Sequence, residues 1–174
     1  EALLEQGIAP EDARLQSRLS GGRLGWALSA RDDTRRLGGR AGDLEALGKA
    51  LDSGLPERFH LAEELATLYY KDRDALEKTL KTWLGWWRDL LLVKGSYEKG
   101  ITNVDQEKEL HRWGERLSVQ EVMTFIWAIA STLEGLGRNV NPRMAIEALM
   151  LEAPGYGTGT RISGNILRRS TANA

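Results

Sequence analysis

The chain has two imidazoles, His60 and His111. Neither has a second imidazole three or four residues away, the spacing that would put two zinc ligands on one helix face. Carboxylates are plentiful, as in Glu63-Glu64, Asp72 with Asp74, and Glu107 with Glu109. Each group has lysine or arginine nearby at helical spacing, the pattern of a solvated face laced with weak ion pairs. General acid–base catalysis instead needs carboxyls that are buried and converge on one point, and nothing in the sequence asks for that. Two glycine-rich stretches, Gly21-Gly22-Arg23-Leu24-Gly25 and Gly38-Gly39-Arg40-Ala41-Gly42, resemble phosphate loops only superficially. A phosphate loop needs Gly-Lys-Ser/Thr after a strand, and a dinucleotide loop needs a preceding strand with an acid about 20 residues on. Both stretches read as helix ends. The expectation is therefore no catalytic residue, no bound metal and no cofactor.

Tryptophan is the unusual residue type, with six in the chain. Trp83, Trp86 and Trp87 fall within a turn and a half of one helical pattern, and Trp113 and Trp127 follow. Trp83 and Trp87 share a leucine face and belong to a core. At 100° per residue Trp86 points about 60° away from the centre of that stripe. Tryptophan is favoured at the centres of protein interfaces, so Trp86 and Trp113 are the candidate partner contacts. Base stacking is the competing use, but no basic residues interleave with Trp86 as a nucleic-acid groove would require.

The elements that must position these residues are helices. Apolar residues recur at three and four, and sustained two-residue alternation is lacking, so the fold class is all-α. Glu1 to Gln6 reads as a helix tail stopped by Gly7. A helix opens at Pro10 with Ala13, Leu15 and Leu19, and a short one follows through Leu24, Trp26, Ala27 and Leu28. Residues 31 to 43 then shift in composition, with Arg31, Asp32, Asp33, Arg35 and Arg36 ahead of three glycines. Each glycine costs about 1 kcal/mol relative to alanine inside a helix, so this stretch reads as a linker or a weakened connecting helix, and as the domain boundary. Asp43 is the expected N-cap of a helix through Leu44, Leu47 and Leu51, and Pro56 opens another through Phe59, Leu61, Leu65, Leu68 and Tyr69. A new or kinked helix starts near Lys71-Asp72 and carries Leu76, Leu80, Trp83, Leu84, Trp87, Leu90 and Leu91 to a stop at Gly95. Asn103 is the expected cap of a helix from Val104 to Arg116. Ser118-Val119-Gln120-Glu121 has the form of a capping box, ahead of Val122, Phe125, Ile126, Ile129, Leu133 and Leu136. Asn141-Pro142 starts the last helix through Ile146, Leu149 and Leu151.

At 174 residues the chain can bury roughly 70% of its unfolded surface, so it needs no covalent staples. Its net charge of −1 supplies no global field toward nucleic acid or an acidic membrane. The absence of cysteine excludes disulfides, thiolate zinc sites and cysteine nucleophiles, and fits a reducing, cytoplasmic setting. No run approaches about 18 apolar residues. The chain opens on Glu1 in mid-pattern and is expected to be a piece of a longer protein. From Tyr156 on it is rich in Gly, Ser, Thr and Asn, with Arg161, Arg168 and Arg169 as its only charges. Such a segment offers too little apolar area to offset its ordering entropy and is expected to be mobile.

Two stretches go beyond generic helix: Trp83-Leu84-Gly85-Trp86-Trp87-Arg88-Asp89-Leu90-Leu91-Leu92-Val93-Lys94, and Arg138-Asn139-Val140-Asn141-Pro142-Arg143-Met144-Ala145-Ile146-Glu147-Ala148-Leu149-Met150-Leu151. Together they resemble the collar domain of delta-prime-type subunits of the bacterial DNA polymerase III clamp loader. Upstream, Leu19-Ser20-Gly21-Gly22-Arg23-Leu24-Gly25-Trp26-Ala27-Leu28 is similar to the end of the AAA+ lid in the same proteins. The resemblance covers residues 1 to about 152 and implies a lid remnant over residues 1–36 and a helical collar domain over 37–153; the flexible tail over 154–174 lies outside it and is read from composition. It also implies a non-catalytic module that helps hold a pentameric loader together. Its partners would be delta and gamma/tau-type subunits, with the sliding clamp and primed DNA reached only through the full complex. No membrane and no small-molecule substrate is implied. In ATP-using loader subunits the lid motif carries a sensor arginine, and the matching position here is Gly25, with Arg23 nearby. Glycine cannot supply charge to a phosphate, which favours the delta-prime type over a gamma/tau-type ATPase fragment. The third reading is an unrelated helical adaptor or nucleic-acid binder.

Overall fold

A computed structural model describes residues 34–138 and 140–155, with side chains from Gly39 onward. The expected lid remnant, including Arg23, Gly25 and Trp26, lies outside the described residues, as does the tail from Tyr156. Among the described residues every regular element is helical: α1 Thr34–Asp52, α2 Leu55–Lys71, α3 Arg73–Lys94, 3₁₀ turns at Glu98–Gly100 and Val104–Gln106, α4 Glu107–Arg116, α5 Val119–Gly137 and α6 Pro142–Glu152. The all-α expectation holds.

α3 is the hub. It packs on α1, α2, α4 and α5, while α6 closes against α2 and α5. Its start is set by Asp72, which breaks from α2 in extended backbone and accepts a hydrogen bond from the Ala75 amide at 2.9 Å. Because neighbours surround it, α3 buries far more than one stripe. Trp83, Trp86, Trp87, Leu76, Leu80 and Leu90 are all in the core, together with Thr79 and Asp89. The aromatic centre is edge-on: Trp86 meets Trp87 at 5.6 Å between ring centroids and 75°, and Trp87 meets Phe125 of α5 at 4.7 Å and 65°, arrangements that satisfy the ring quadrupoles.

The two fully buried indoles of α3 differ in one respect that can be measured. Trp83 Nε1 donates to the Asp43 carbonyl at 3.0 Å, whereas Trp87 Nε1 is buried with no hydrogen-bond partner. Substitution by phenylalanine leaves a cavity at either position, but at Trp83 it also removes a hydrogen bond to a helix carbonyl, and at Trp87 it removes a donor that has no partner. Trp83→Phe is therefore expected to cost about 1 kcal/mol more than Trp87→Phe, read from urea unfolding midpoints.

Three expectations about local structure are corrected. The glycine-rich stretch from Gly38 to Gly42 is not a helix end: α1 runs through it from Thr34, as the reading of a connecting helix, one of the two offered, has it. Asp43 is accordingly an interior residue rather than an N-cap, and its carboxylate accepts from Thr79 Oγ1 at 3.2 Å. Partial burial raises its pKa above the ordinary carboxylate value, against the opposing effect of the Thr79 bond. Tertiary ties offset the glycine penalty here. Arg40 donates to both Asp105 oxygens, at 2.8 and 3.0 Å, and to Asn103 Oδ1 at 2.5 Å. The third correction concerns Asn103, whose side chain caps nothing. The chain makes a 3₁₀ turn at Val104–Gln106 and α4 begins at Glu107. Asn103 instead donates from both its backbone N–H and Nδ2 to Asp89 Oδ2, each at 2.7 Å. A smaller departure follows α3: Gly95 ends the helix with φ −86°, and the left-handed conformation falls on Ser96, φ 58°.

Candidate partner-docking surface

Neither tryptophan singled out for partner contact is at the surface. Trp86 is 5% exposed and Trp113 2%. α1 lies across Trp86, with Leu44, Leu47, Gly48 and Leu51 lining a crevice against Trp86 and Trp113. The guanidiniums of Arg112 and Arg116 cover the Trp113 ring at 5.3 and 4.7 Å from its centroid, and both arginines pair with Asp52 at the end of α1. The 60° offset of Trp86 describes where it sits on its own helix. It carries no information about a second helix crossing that face, so the interface role for Trp86 and Trp113 is withdrawn. Trp83 and Trp87 lie in the core as expected.

Among the described residues the exposed tryptophan is Trp127, at 67%. It sits on α5, whose start is fixed by the expected capping box. The Glu121 amide donates to Ser118 Oγ at 3.2 Å, and the Ser118 amide donates to Glu121 Oε2 at 2.8 Å. Val122, Phe125, Ile129 and Leu136 turn inward from this helix. Trp127, two residues from both Phe125 and Ile129, lies about 160° from each. That offset is present in the sequence and is the signal for an outward ring.

α5 and α6 form an antiparallel pair. The Arg138 and Val140 amides donate to the Gly135 carbonyl at 2.9 and 3.3 Å, and Asn141 caps α6 by accepting from the Met144 amide at 3.3 Å, with Pro142 following. Ile146, Leu149 and Met150 of α6 are buried, while Met144 and Leu151 are 66% and 53% exposed. Between the two helices runs an open groove of about 520 Å³. It is lined by Ala128, Ser131, Gly135, Ala145 and Ala148 together with the buried Leu149, and by the exposed Trp127 and Val140. Thr132 adds a hydroxyl that is already donating to the Ala128 carbonyl at 2.9 Å. Glu152 is the sole charged residue lining it. Isolated exposed apolar residues need no explanation, but an exposed tryptophan beside a largely apolar groove offers a place for another molecule.

Little else in the described residues offers chemistry. The buried charged side chains are Arg58 and Asp89, and both direct their hydrogen bonds to holding backbone segments together. His60 is exposed beside Glu64. Glu98, Glu107 and His111 bring ligand-type atoms within 4.8 Å of one another, with His111 Nε2 at 3.5 Å from a Glu98 oxygen. All three are exposed, and exposed carboxylates gather around an imidazole in this way as ordinary surface ion pairs. The sequence reading did not bring these three together, because Glu98 comes from the turn preceding α4 and only the fold places it there.

No protein-family model, no curated protein and no solved structure matches this chain. Among the described residues no helix is long and apolar enough to cross a membrane.

Proposed function

We propose that this chain is a non-catalytic helical assembly module, and specifically the collar part of a delta-prime-type clamp-loader subunit that helps hold a loader together during clamp loading in the bacterial cytoplasm. The single observation that carries the assembly role is the α5–α6 groove with Trp127 beside it, an apolar, nearly uncharged surface without a covering element among the described residues. The finer reading rests on the sequence resemblance of the Trp83–Lys94 and Arg138–Leu151 stretches, and on Gly25 at the sensor position, which favours a subunit that does not hydrolyse ATP. In this reading the groove receives apolar side chains of a delta or gamma/tau-type neighbour, and the sliding clamp and primed DNA are reached through the assembled complex alone.

Mixing the full chain with purified delta and gamma/tau-type subunits and following co-elution tests the proposal. Co-elution is expected for the wild type and loss of it for Trp127→Glu. Because Trp127 is exposed, Trp127→Ala is expected to leave stability within about 0.5 kcal/mol of wild type in urea unfolding, which separates a docking role from a folding one. Failure of the wild-type chain to join any loader subunit overturns the clamp-loader assignment. Salt-dependent binding of the isolated chain to primed DNA would point instead to a nucleic-acid binder.

A further inference from the structure

We infer that the first turns of α1, from Thr34 to Gly42, form a strap that opens and closes on the bundle as a separate unit, with the Arg40 side chain as its latch. This device is independent of the collar reading and of any occupant of the α5–α6 groove.

The strap is intrinsically a poor helix, because Gly38, Gly39 and Gly42 all fall in this short stretch. Each glycine lowers the local helix equilibrium about fivefold relative to alanine, and three together lower it on the order of a hundredfold. Packing does not ask for glycine at positions 39 and 42, where an added Cβ would meet nothing within 4 Å. The opposite holds where a backbone must approach a neighbour closely, as at Gly155, whose added Cβ would collide with Arg58. Gly39 and Gly42 therefore weaken the helix without tightening any contact.

Apolar burial does not hold the strap either. Among the described side chains of α1, Gly39, Ala41 and Gly42 are exposed, and the first buried apolar residue is Leu44. Asp43 already belongs to the anchored part, since its carbonyl accepts from Trp83 Nε1 and its carboxylate from Thr79 Oγ1. That leaves Arg40. Its side chain is 12% exposed and reaches the turn after α3, donating to both Asp105 oxygens and to Asn103 Oδ1. A planar fork on a carboxylate and an amide oxygen is a strong, oriented tie. Its receiving end is fixed, because Asn103 donates twice to the buried Asp89. One firm tie thus stands against a weak helix, which leaves the closed strap poised to open. When it opens, the chain preceding Thr34 is free to pivot at Gly42.

Native-state hydrogen exchange of the full chain tests this. The amides of Gly38 to Gly42 are expected to exchange at least about 100-fold faster than those of Leu47 and Leu51, through an opening that low denaturant does not accelerate. Arg40→Met removes the latch but keeps its stem, and is expected to lower protection of the strap amides roughly tenfold. Asp105→Ala is expected to lower it too, and to add nothing when combined with Arg40→Met, because the latch is then already gone. Adding Gly39→Ala and Gly42→Ala to Arg40→Met is expected to raise protection about 25-fold, back to the wild-type level or beyond. Exposed alanines could not repair a bundle damaged by the loss of Arg40, so this rescue separates a latch from a general structural role. Strap amides as protected as Leu47, exchange that rises steeply with denaturant, no response to Arg40→Met, or additive losses in the double variant overturns the strap.

Discussion

Replacing Arg58 with alanine is expected to destabilise the fold by about 3–5 kcal/mol, enough to lower the unfolding temperature by roughly 10 °C or more. Arg58 lies in α2, is almost fully buried, and has no carboxylate partner among the described residues. Its guanidinium donates to backbone carbonyls: Nε to Ala50 at 3.1 Å, Nη2 to Leu51 at 3.5 Å and to Pro154 at 3.2 Å, and Nη1 to Ala153. Ala50 and Leu51 lie in the last turn of α1, where helix carbonyls lack intrahelical partners and the helix dipole favours a cation. Ala153 and Pro154 belong to the segment that follows α6. One side chain therefore closes α1, α2 and the end of α6 onto one another. Burial lowers its pKa below the ordinary arginine value, but the group stays charged because arginine starts so high. Removing it leaves several carbonyls buried without donors, each worth about 1–3 kcal/mol.

Two further substitutions sharpen this prediction. Arg58→Met keeps much of the stem volume and isolates the hydrogen-bonding contribution, so it is expected to be nearly as damaging as alanine. Arg58→Lys offers one ammonium where a planar fork reached two chain segments, and is expected to recover less than half of the loss. A methionine variant as stable as wild type in urea unfolding would show that the carbonyls find other partners, and the role given to Arg58 would be wrong. Position 155 bears on the same contact. A Cβ added at Gly155 would collide with the Arg58 guanidinium and with the Leu51 carbonyl, so Gly155→Ala is expected to loosen the same junction.

The second large effect is expected at Asp89, where alanine should cost about 3–4 kcal/mol and asparagine about half as much. Asp89 is fully buried in α3, and its Oδ2 accepts four hydrogen bonds: from the Thr102 amide at 2.8 Å, Thr102 Oγ1 at 2.9 Å, and the Asn103 amide and Nδ2 at 2.7 Å each. Its Oδ1 lies 3.1 Å from Arg88 Nη2 without forming a well-aligned hydrogen bond. The bonds reach outward, because Asn103 Oδ1 accepts from Arg40 and Arg40 grips Asp105. The carboxylate thus fixes the loop between α3 and α4 and, through it, the early part of α1. An asparagine side chain in its place could keep an oxygen toward the loop but would present an amide N–H to the Arg88 guanidinium, donor against donor. Beyond the change in global stability, Asp89→Asn is expected to speed hydrogen exchange at the Thr102 and Asn103 amides well before the core opens. Unchanged protection of those two amides would contradict the role given to Asp89.

Neither Arg58 nor Asp89 can be singled out in the sequence. Both sit in helices dense with charge, where the prior for any charged residue is a solvated face. Their partners are backbone groups that carry no residue-type signature and come from distant segments. Trp127 is a different case, since its offset from Phe125 and Ile129 is local and readable. The cluster at Trp83, Trp86 and Trp87 is the more unusual pattern and draws the eye away from it.

What the sequence determined alone is what depends on short-range chemistry. Periodicity set the helical class. The capping box at Ser118 and Glu121, the Asn141-Pro142 start, the break at Asp72 and the stop at Gly95 are each built from neighbours in the chain, and each stands where the residues place it. How many sides of a helix are covered was set by packing. α1 continues through its glycines because Arg40, Asp43 and Trp83 tie it to the bundle. Trp86 and Trp113 are buried because α1 and a pair of arginines lie over them. Trp127 is left in the open because no described element crosses α5 there. A helical repeat tells which residues share a face, but burial is a property of the space between elements, and that space exists only once they have packed.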